Sequence, residues 1–364
     1  MSLLPARRAK TLLSFTILAT LIASATFATS GSAIPRPAPL DPALLDGEGA
    51  AFSVLTYNVH GLPWPLASAR PEAFDAMAAR LRTMRAAGVQ PHVVVLQEAF
   101  TADAKAIGRR SGYRYIVAGP GRDLANTAQP DADERAFASA DTWRHGEGIG
   151  KFVDSGLEIL SDYPVLAVRR VAFPTFACAG YDCLANKGAL LVRLTVPGAP
   201  MPIDVVTAHL NSRGASGAPD PRSMAAYRQQ VDTLTAFVAR YRDPADPLIV
   251  AGDFNVSAPA RLAYLTTRAE TVWTGANDAL HHCYTPARPC GEQLPKDAAQ
   301  ALRHGRDWQF YAPGHAAALV PIAVTVPFGH EPGGGMLSDH IGYAAAYRIT
   351  PARSPLNNPS SNAG

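Results

Sequence analysis

The stretch that decides the fold is Leu248-Ile249-Val250-Ala251-Gly252-Asp253-Phe254-Asn255. Its four leading apolar residues predict a buried strand, and the glycine that follows allows the backbone to turn. Asp253 and Asn255 then stand two residues apart, so both point to the same side if the chain stays extended. A simple turn is one interpretation, because Asp and Asn favour turns. The other is a ligand site at the mouth of a sheet, and the rest of the chain decides between them.

Four further segments repeat this pattern, in which an apolar strand lies next to polar residues. The polar ends are Asn58 after residues 53–57, Gln97-Glu98 after 93–96, His209 and Asn211 after 203–207, and Ser338-Asp339-His340 before 341–347. One such end carries little information, since a single His or Glu is commonly structural. Five ends that offer carboxylates, imidazoles and amides indicate one shared site with acid–base and metal-binding capacity.

These residues, in this order, resemble the endonuclease/exonuclease/phosphatase superfamily of DNase I-like, metal-dependent phosphodiesterases. The resemblance extends over residues 52–347 and rests on Asn58, Gln97-Glu98, His209, the Gly252–Asn255 piece and Ser338-Asp339-His340, with 306–310 similar to the family's penultimate strand. It implies an α/β fold, a four-layer sandwich in which two packed mixed β-sheets are flanked by helices. Alternating strands and helices alone would fit a doubly wound sheet equally well.

Four regions are expected along the chain. Residues 1–28 have the pattern of a secretory signal peptide, because basic residues precede an apolar run and small residues offer cleavage sites after Ala28 or Ala33. A membrane anchor is the alternative, although the run is short for a spanning helix. Residues 29–50 form a loose leader, 51–350 the catalytic domain and 351–364 a disordered tail. The protein is therefore expected to be secreted or periplasmic.

The four cysteines are an even number in a chain that is expected to be exported. This favours two disulfides, and local pairing of Cys178 with Cys183 and of Cys283 with Cys290 is the simplest arrangement. Zinc binding that involves His281 and His282 is the alternative, but the spacing suits a four-ligand site poorly.

Apolar residues at helical spacing predict helices at 72–87 and 224–241. Strands are predicted at 156–160, 165–171, 189–196 and 203–208. Residues 120–148 are polar with few apolar anchors, which predicts a long surface loop.

Charge bears on the substrate. Removal of residues 1–28 lowers the formal net charge from +3 to 0, because this segment holds three basic residues and no acidic one. Nucleases usually gain affinity from clusters of Lys and Arg that neutralise phosphates. The remaining lysines and arginines are scattered along the chain, which makes nucleic acid a less favoured partner than a phospholipid.

The resemblance also implies residue roles. Glu98 is expected to bind Mg²⁺, or Mn²⁺ or another divalent cation, with Asn58 and Asp339 as further ligands. The implied catalytic residues are His340 as the acid–base group, Asp307 as the carboxylate that orients it, Asp253 beside the attacking water, and His209 and Asn255 as donors to the phosphoryl oxygens. Whether His340 or Asp253 activates the water stays open, as does the presence of a second cation.

Residues 178–188 narrow the substrate class. They resemble the corresponding region of neutral and bacterial sphingomyelinases, in which an Asp and a Lys at this spacing line the active site. Asp182 and Lys187 match that pattern, and Asn211 is expected to bind substrate with them. A solvated charge at a strand edge is the alternative for Lys187.

The expected function is hydrolysis of a sphingomyelin-type phospholipid to ceramide and phosphocholine, by a monomer with peripheral membrane contact. The alternatives are an extracellular nuclease, a phosphatase acting on a small phosphoester, and a non-catalytic binding protein of the same fold. The sequence contains no hairpin of exposed aromatic residues of the kind that secreted bacterial sphingomyelinases carry for membrane docking.

Overall fold

The computed structural model describes residues 51–63, 70–285, 287, 290 and 295–351. These residues all belong to one compact unit of the chain. The predicted signal peptide, the leader and the tail beyond residue 351 lie outside the described residues. Over the ranges that are described, no helix is both long enough and apolar enough to span a bilayer.

The described residues form two six-stranded sheets. The first contains β1 (Ala51–Asn58), β2 (Val93–Gln97), β3 (Tyr115–Ala118), β4 (Glu158–Ser161), β11 (Ala317–Phe328) and β12 (Gly342–Pro351), in the order β11-β12-β1-β2-β4-β3. The second contains β5 (Val165–Ala172), β6 (Gly188–Leu194), β7 (Ile203–His209), β8 (Leu248–Asp253), β9 (Asn277–Asp278) and β10 (Asp307–Ala312), in the order β5-β6-β7-β8-β10-β9. Both are mixed sheets, because β1 pairs with β2 and β7 pairs with β8 in parallel.

The described residues contain seven helices. They are α1 (Pro71–Ala86), α2 (Ala102–Ser111), α3 (Ala132–Ser139), α4 (Asp220–Tyr241), α5 (Pro259–Glu270), α6 (Ala279–Cys283) and α7 (Lys296–His304). Helices α1 and α2 share a buried apolar cluster with the first sheet, and α4 and α5 share one with the second. A third cluster joins the inner faces of both sheets and includes buried residues of α6 and α7, so the outer layers are formed by α1 and α2 on one side and α4 and α5 on the other. The predicted four-layer α/β sandwich is thus confirmed.

Strand β8 shows how the sequence produces these layers. Ile249 and Ala251 belong to the cluster between the sheets, whereas Leu248 and Val250 pack towards α4 and α5. Successive side chains of a strand point to opposite faces, and both faces of this strand are covered. A central strand therefore needs an unbroken apolar run rather than alternation with polar residues.

The structure corrects the prediction of a loop at 120–148, because this segment contains α3 and a 3-10 turn at Trp143–His145. Helix α3 has no buried residue, so it lacks the apolar periodicity that would reveal it. It begins instead at a capping box in which Asp131 and Glu134 satisfy each other's backbone N–H groups. The guanidinium of Arg222 lies 4.1 Å from the ring centre of Phe137 and holds the helix against α4.

The prediction that the chain turns at Gly252 was wrong. Strand β8 continues through Asp253, and a Cβ atom at position 252 would overlap the backbone oxygen of Ala208. Glycine is therefore needed for close strand packing at this position. The backbone leaves the extended conformation at Asn255, where φ is 50°.

Both predicted disulfides are present, between Cys178 and Cys183 and between Cys283 and Cys290. All four cysteines are thereby paired, which removes the zinc alternative. The first disulfide closes the segment that carries the 3-10 turn Gly180–Leu184.

Candidate active site

Strand register aligns three predicted residues at one end of the second sheet. His209 ends β7, Asp253 ends β8 and Asp307 begins β10. His209 pairs with Asp253 across the parallel ladder, and Asp253 pairs with Asp307 across the antiparallel one. Because directly paired residues project to the same face, an imidazole and two carboxylates form a row. The Nε2 atom of His209 lies 3.5 Å from Oδ2 of Asp253.

The first sheet contributes Asn58 and Glu98 to the same place. Asn58 ends β1 opposite Gln97, the last residue of β2, and Glu98 follows directly. The Nδ2 atom of Asn58 donates to Oε1 of Glu98 and to Oδ2 of Asp253, at 3.0 Å each. Its Oδ1 atom accepts from the backbone N–H of His60. One buried amide therefore bridges the carboxylates of the two sheets.

His340, which lies just before β12, extends this cluster. Its Nδ1 atom is 2.7 Å from Oδ2 of Asp307, and its Nε2 atom is 3.7 Å from Oδ2 of Asp253. Burial alone would lower the pKa of His340, but Asp307 and Asp253 outweigh it and raise the pKa to about 10. Burial raises the pKa of Asp307 to about 6, against the opposing effect of His340. The arrangement is an imidazolium held between two carboxylates.

Asp253 and His209 respond to this charge pattern in opposite ways. Burial would raise the pKa of Asp253, but the positive charge of His340 and the hydrogen bond from Asn58 lower it instead. Burial and the charge of Lys187 both lower the pKa of His209, which favours its neutral ring. The buried Nδ1 atom of His209 has no hydrogen-bond partner among the described residues.

Asn255 braces the turn after β8. Its side-chain amide donates to the backbone oxygen of Leu210 at 3.0 Å, and its backbone N–H donates to Oδ1 of Asp253 at 3.0 Å. A carboxamide has two N–H groups, so one donor of Asn255 remains for a ligand.

Left-handed backbone conformations also mark the site. Within the described ranges, the residues other than glycine with positive φ are His60 at 52°, Glu98 at 57° and Asn255 at 50°. Such conformations cost free energy and tend to cluster at functional sites. The backbone at Glu98 is held further by Gly61, whose N–H donates to the Glu98 oxygen at 3.1 Å. A Cβ atom at Gly61 would overlap that oxygen.

Asp339 lies at the edge of the site rather than inside the cluster. Its Oδ1 atom is 3.1 Å from Nδ1 of His60, and Arg306 approaches its other oxygen at 4.0 Å. Burial opposes the effect, but the hydrogen bond from His60 and the charge of His340 hold the pKa of Asp339 well below its usual range. Arg70 also reaches Nδ1 of His60, at 2.9 Å. That nitrogen can accept from Arg70 or donate to Asp339, but it cannot do both at once.

His60 and Arg70 are site residues that the sequence reasoning did not select. His60 follows Asn58 by two residues, so its position after a strand end was an available signal. Arg70 directly precedes α1 and lies away from every predicted strand end, so no local pattern points to it.

Lys187 and Asp182 form a buried ion pair next to this cluster. The Nζ atom of Lys187 lies 3.0 Å from Oδ1 of Asp182 and donates to the backbone oxygen of Leu210 at 3.2 Å. Lys187 is only 5% exposed, which excludes a solvated charge at a strand edge. The structure does not bring Asn211 into the site, because its buried amide bonds only to the backbone of Ala179 and Ser212.

One group of side chains in the described ranges suits a divalent cation. Ligand atoms of Glu98, His209 and Asp253 lie within 4.8 Å of one another, and Asn58 links both carboxylates. Two carboxylates and an amide are suitable ligands for a hard cation such as Mg²⁺. A second group, Asp253 with Asp307 and His340, meets the same distance criterion. It is less suited to a cation because the proton shared by His340 and Asp307 already lies there.

Comparisons with known proteins place this geometry in a family. The profile of the "Endonuclease/Exonuclease/phosphatase family" matches residues 55–340, so the chain belongs to this family, as the resemblance predicted. It is accordingly a phosphodiesterase-type hydrolase. A search of curated proteins finds no match.

Several solved structures share the fold. Sphingomyelinase C from Streptomyces griseocarneus is 22% identical, with a TM-score of 0.50 over 81% of this chain and 99% of that one. A double mutant of beta toxin from Staphylococcus aureus with bound magnesium ions is 16% identical, with a TM-score of 0.53 over 80% and 98%. TDP2 from D. rerio, complexed with a single strand DNA product, is 14% identical, with a TM-score of 0.51 over 82% and 99%. At these identities the likeness establishes the fold alone.

Proposed function

We propose that this protein is a secreted, Mg²⁺-dependent phosphodiesterase that hydrolyses a sphingomyelin-type phospholipid to ceramide and phosphocholine. The observation that carries the proposal is the convergence of Glu98, Asp253 and His340 from two sheets into one cluster bridged by Asn58. The fold shared with sphingomyelinase C supports the lipid substrate. Secretion is supported by the signal-peptide pattern of residues 1–28.

The cation would be held by Glu98 and Asn58 from the first sheet and by Asp253 from the second, with His209 beside them. When bound, it neutralises charge on the phosphate and polarises a phosphoryl oxygen. The magnesium ions in the beta toxin structure support this choice of metal. Asn58 would have to turn its amide oxygen inward to become a ligand, since its nitrogen now faces both carboxylates. Asp339, at the edge of the site, would be a further ligand of the cation.

His340 is the proposed group for proton transfer, and Asp307 orients its ring through Nδ1. The free site holds His340 in its charged form, because Asp307 and Asp253 raise its pKa to about 10. Neutralising Asp253 with a bound divalent cation would lower that pKa towards neutrality, where an imidazole can both accept and release a proton.

The remaining residues act on the phosphoryl group. Asp253 positions the water that attacks phosphorus. This water gives up a proton to one of the pair His340 and Asp253, and the bond from phosphorus to the ceramide oxygen breaks as that oxygen takes up a proton from the other. His209 and Asn255 donate hydrogen bonds to the phosphoryl oxygens as negative charge builds there. These donors come from the ends of two strands of one sheet, which keeps them in a fixed arrangement.

Lys187 is proposed to bind the substrate phosphate, for which it would exchange part of its contact with Asp182. In the free protein the charge of Lys187 already lowers the pKa of the neighbouring His209. For Asn211 the contacts support a positioning role instead, since it fixes the backbone at Ala179 and Ser212, and the Ser212 N–H donates to Asp182.

An extracellular nuclease is the second candidate, supported by the fold shared with TDP2 and its DNA product. Against it stands the formal charge of the chain after residue 28, which is zero. A nuclease needs positive charge along a groove to attract a polyanion.

The test is hydrolysis of sphingomyelin liposomes and of plasmid DNA by the purified mature protein, with Mg²⁺ or with EDTA. We expect phosphocholine release with Mg²⁺, none with EDTA or in His340→Ala, and an intact plasmid. Nicked plasmid with untouched lipid would replace the proposal by the nuclease. A folded protein that turns over neither substrate would refute both and leave a small phosphoester or a non-catalytic role.

A further inference from the structure

Large apolar side chains are exposed in one part of the structure. Eight such side chains stand out from the surface of the described residues, and five of them lie either in the 3-10 turn Gly180–Leu184 or in segments that contact residues 180–187. These five, which we name the aromatic rim, are Leu124, Trp143, Ile149, Phe152 and Tyr181. Trp143 and Phe152 are the most exposed of them, at 67% and 63%. Single exposed apolar residues are ordinary, whereas a group of them marks an interaction surface.

Two chain segments, 121–126 and 141–152, contact this turn or the residues that follow it directly. The ring of His145 lies 6.0 Å from that of Tyr181, centre to centre. The backbone N–H of Phe152 donates to the oxygen of Leu184 at 2.7 Å, and the side chain of Asn186 donates to the oxygen of Leu124 at 2.9 Å. The segments that carry the rim residues are thus held together although they are distant in sequence.

The buried carboxylate of Glu147 joins the chain segments that carry the rim. Glu147 accepts from the backbone N–H groups of Thr142 and Gly180 and from the guanidinium of Arg222, at distances of 2.6 to 2.7 Å. Burial opposes it, but these bonds lower the pKa of Glu147. The disulfide between Cys178 and Cys183 closes the same turn. A surface prepared in this way loses little conformational entropy when it binds.

The rim also adjoins the active site. Tyr181 is followed by Asp182, whose partner Lys187 donates to the backbone oxygen of Leu210. Asn255 donates to that same oxygen. The segment that carries Tyr181 therefore adjoins the cluster of Asp253 and His209.

We propose that the aromatic rim docks the enzyme on the surface of a lipid bilayer. The proposal rests on the proposed function, since a phospholipid substrate is presented at such a surface. Trp and Tyr favour the membrane–water boundary, where an apolar ring and a polar tip are both accommodated. Leu124 and Ile149 add apolar contact of a kind that stacking on nucleic-acid bases does not use.

Charge around the rim also favours a lipid surface over a polyanion. Segments 121–126, 141–152 and 180–187 together contain four basic and four acidic residues, so they carry no net formal charge. Nucleic-acid surfaces depend on an excess of positive charge. A zwitterionic bilayer requires no such excess, because its attraction for the rim is burial of apolar surface.

The test is co-sedimentation with vesicles of phosphatidylcholine and sphingomyelin, in EDTA so that the lipid is not consumed. The rim variant combines Trp143→Ser with Phe152→Ser. The control variant combines Val89→Ser with Leu166→Ser, which are 64% and 57% exposed and are not rim residues. We expect the rim variant to bind vesicles about a hundredfold more weakly, as loss of two buried rings predicts, and the control to bind like wild type. Thermal unfolding checks that both variants fold.

The outcomes separate this proposal from the proposed function. Equal vesicle binding by the rim variant and wild type would overturn the docking surface while leaving hydrolysis untouched. Vesicle binding that depends on the rim, in a protein that releases no phosphocholine with Mg²⁺, would refute the proposed function and keep the surface. If the rim substitutions instead abolish binding of a single-stranded oligonucleotide and leave vesicle binding intact, the rim is a nucleic-acid surface and the proposal fails.

Discussion

The two halves of the candidate active site are built by different means. In the second sheet, His209, Asp253 and Asp307 are aligned by strand register with regular backbones, and Asn255 beyond β8 is the site residue of that sheet with a positive φ. In the first sheet, His60 and Glu98 lie just past strand ends with positive φ. Register is maintained by a ladder of many hydrogen bonds, whereas a strained turn is maintained by a few local contacts. Substitutions in the two halves should therefore have different effects on stability and on Mg²⁺ affinity.

The largest effect is expected at His340, which joins the halves by lying next to β12 and bonding Asp307 of β10. His340→Ala should lower kcat by about 10³- to 10⁴-fold, because the proton-transfer group is lost. Steady-state hydrolysis of sphingomyelin vesicles measures it. The matched control is His330→Ala, since His330 is an exposed histidine that pairs with Asp297. Near-wild-type activity of His340→Ala would remove this residue from the mechanism.

Asp307→Asn tests the row formed by strand register. It should lower kcat by about 10²- to 10⁴-fold, because the carboxylate that orients the imidazole is lost. Asp307 also raises the pKa of His340, so its removal lowers that pKa and must shift the corresponding limb of the pH profile to lower pH. Measurement of kcat/KM against pH shows which limb moves. The acidic limb would identify His340 as a base, the alkaline limb would identify it as an acid, and an unmoved profile would contradict the assignment.

Substitutions in the ion pair of Asp182 and Lys187 should have a smaller effect on activity and should also lower stability. Lys187→Met leaves a buried carboxylate unpaired, which should cost about 3–5 kcal/mol of stability in urea unfolding. Adding Asp182→Asn should restore most of that stability. We expect the double variant to retain a KM for lipid about tenfold above wild type, as loss of a phosphate contact predicts. A stable double variant with wild-type KM would show that the pair serves the fold alone.

The smallest effects come from a matched pair of glycines, one in each half. Gly252→Ala forces a Cβ atom against the backbone of β7, so it should destabilise the protein by about 1–3 kcal/mol. Gly61→Ala presses on the backbone of Glu98 outside any strand, so it should change stability less and weaken Mg²⁺ affinity more. Urea unfolding and calorimetric Mg²⁺ titration of both variants provide the comparison. Identical behaviour of the two variants would contradict the distinction between the halves.

The fold was predicted most accurately from the sequence where burial determines the pattern of apolar residues. Apolar runs such as Leu248 to Ala251 indicate strands buried on both faces, and the polar residues beyond them indicate where a site can form. The same reasoning missed α3, because a helix with no buried residue leaves no apolar period to detect. It also misassigned Gly252, because a glycine required for strand packing has the same appearance in sequence as one required for a turn.

Tertiary contacts within the site were harder to predict from the sequence. Arg70 reaches His60 from the start of α1, and the pairing depends on how that helix packs. Asn211 has the polar character of a ligand, but its buried amide binds two loop backbones instead. Residue type and spacing identify which side chains stand at strand ends, and packing determines which of them face a ligand.

Calorimetric titration of Mg²⁺ into wild type, Glu98→Gln and Asp253→Asn tests the central claim that the two sheets share one cation site. Both substitutions remove a carboxylate from a crowded cluster, so both variants should remain folded. We predict at least about tenfold weaker binding in each variant, because a hard cation loses a charged ligand from one sheet or the other. Wild-type affinity in either variant would show that one sheet binds the cation by itself and would contradict the account.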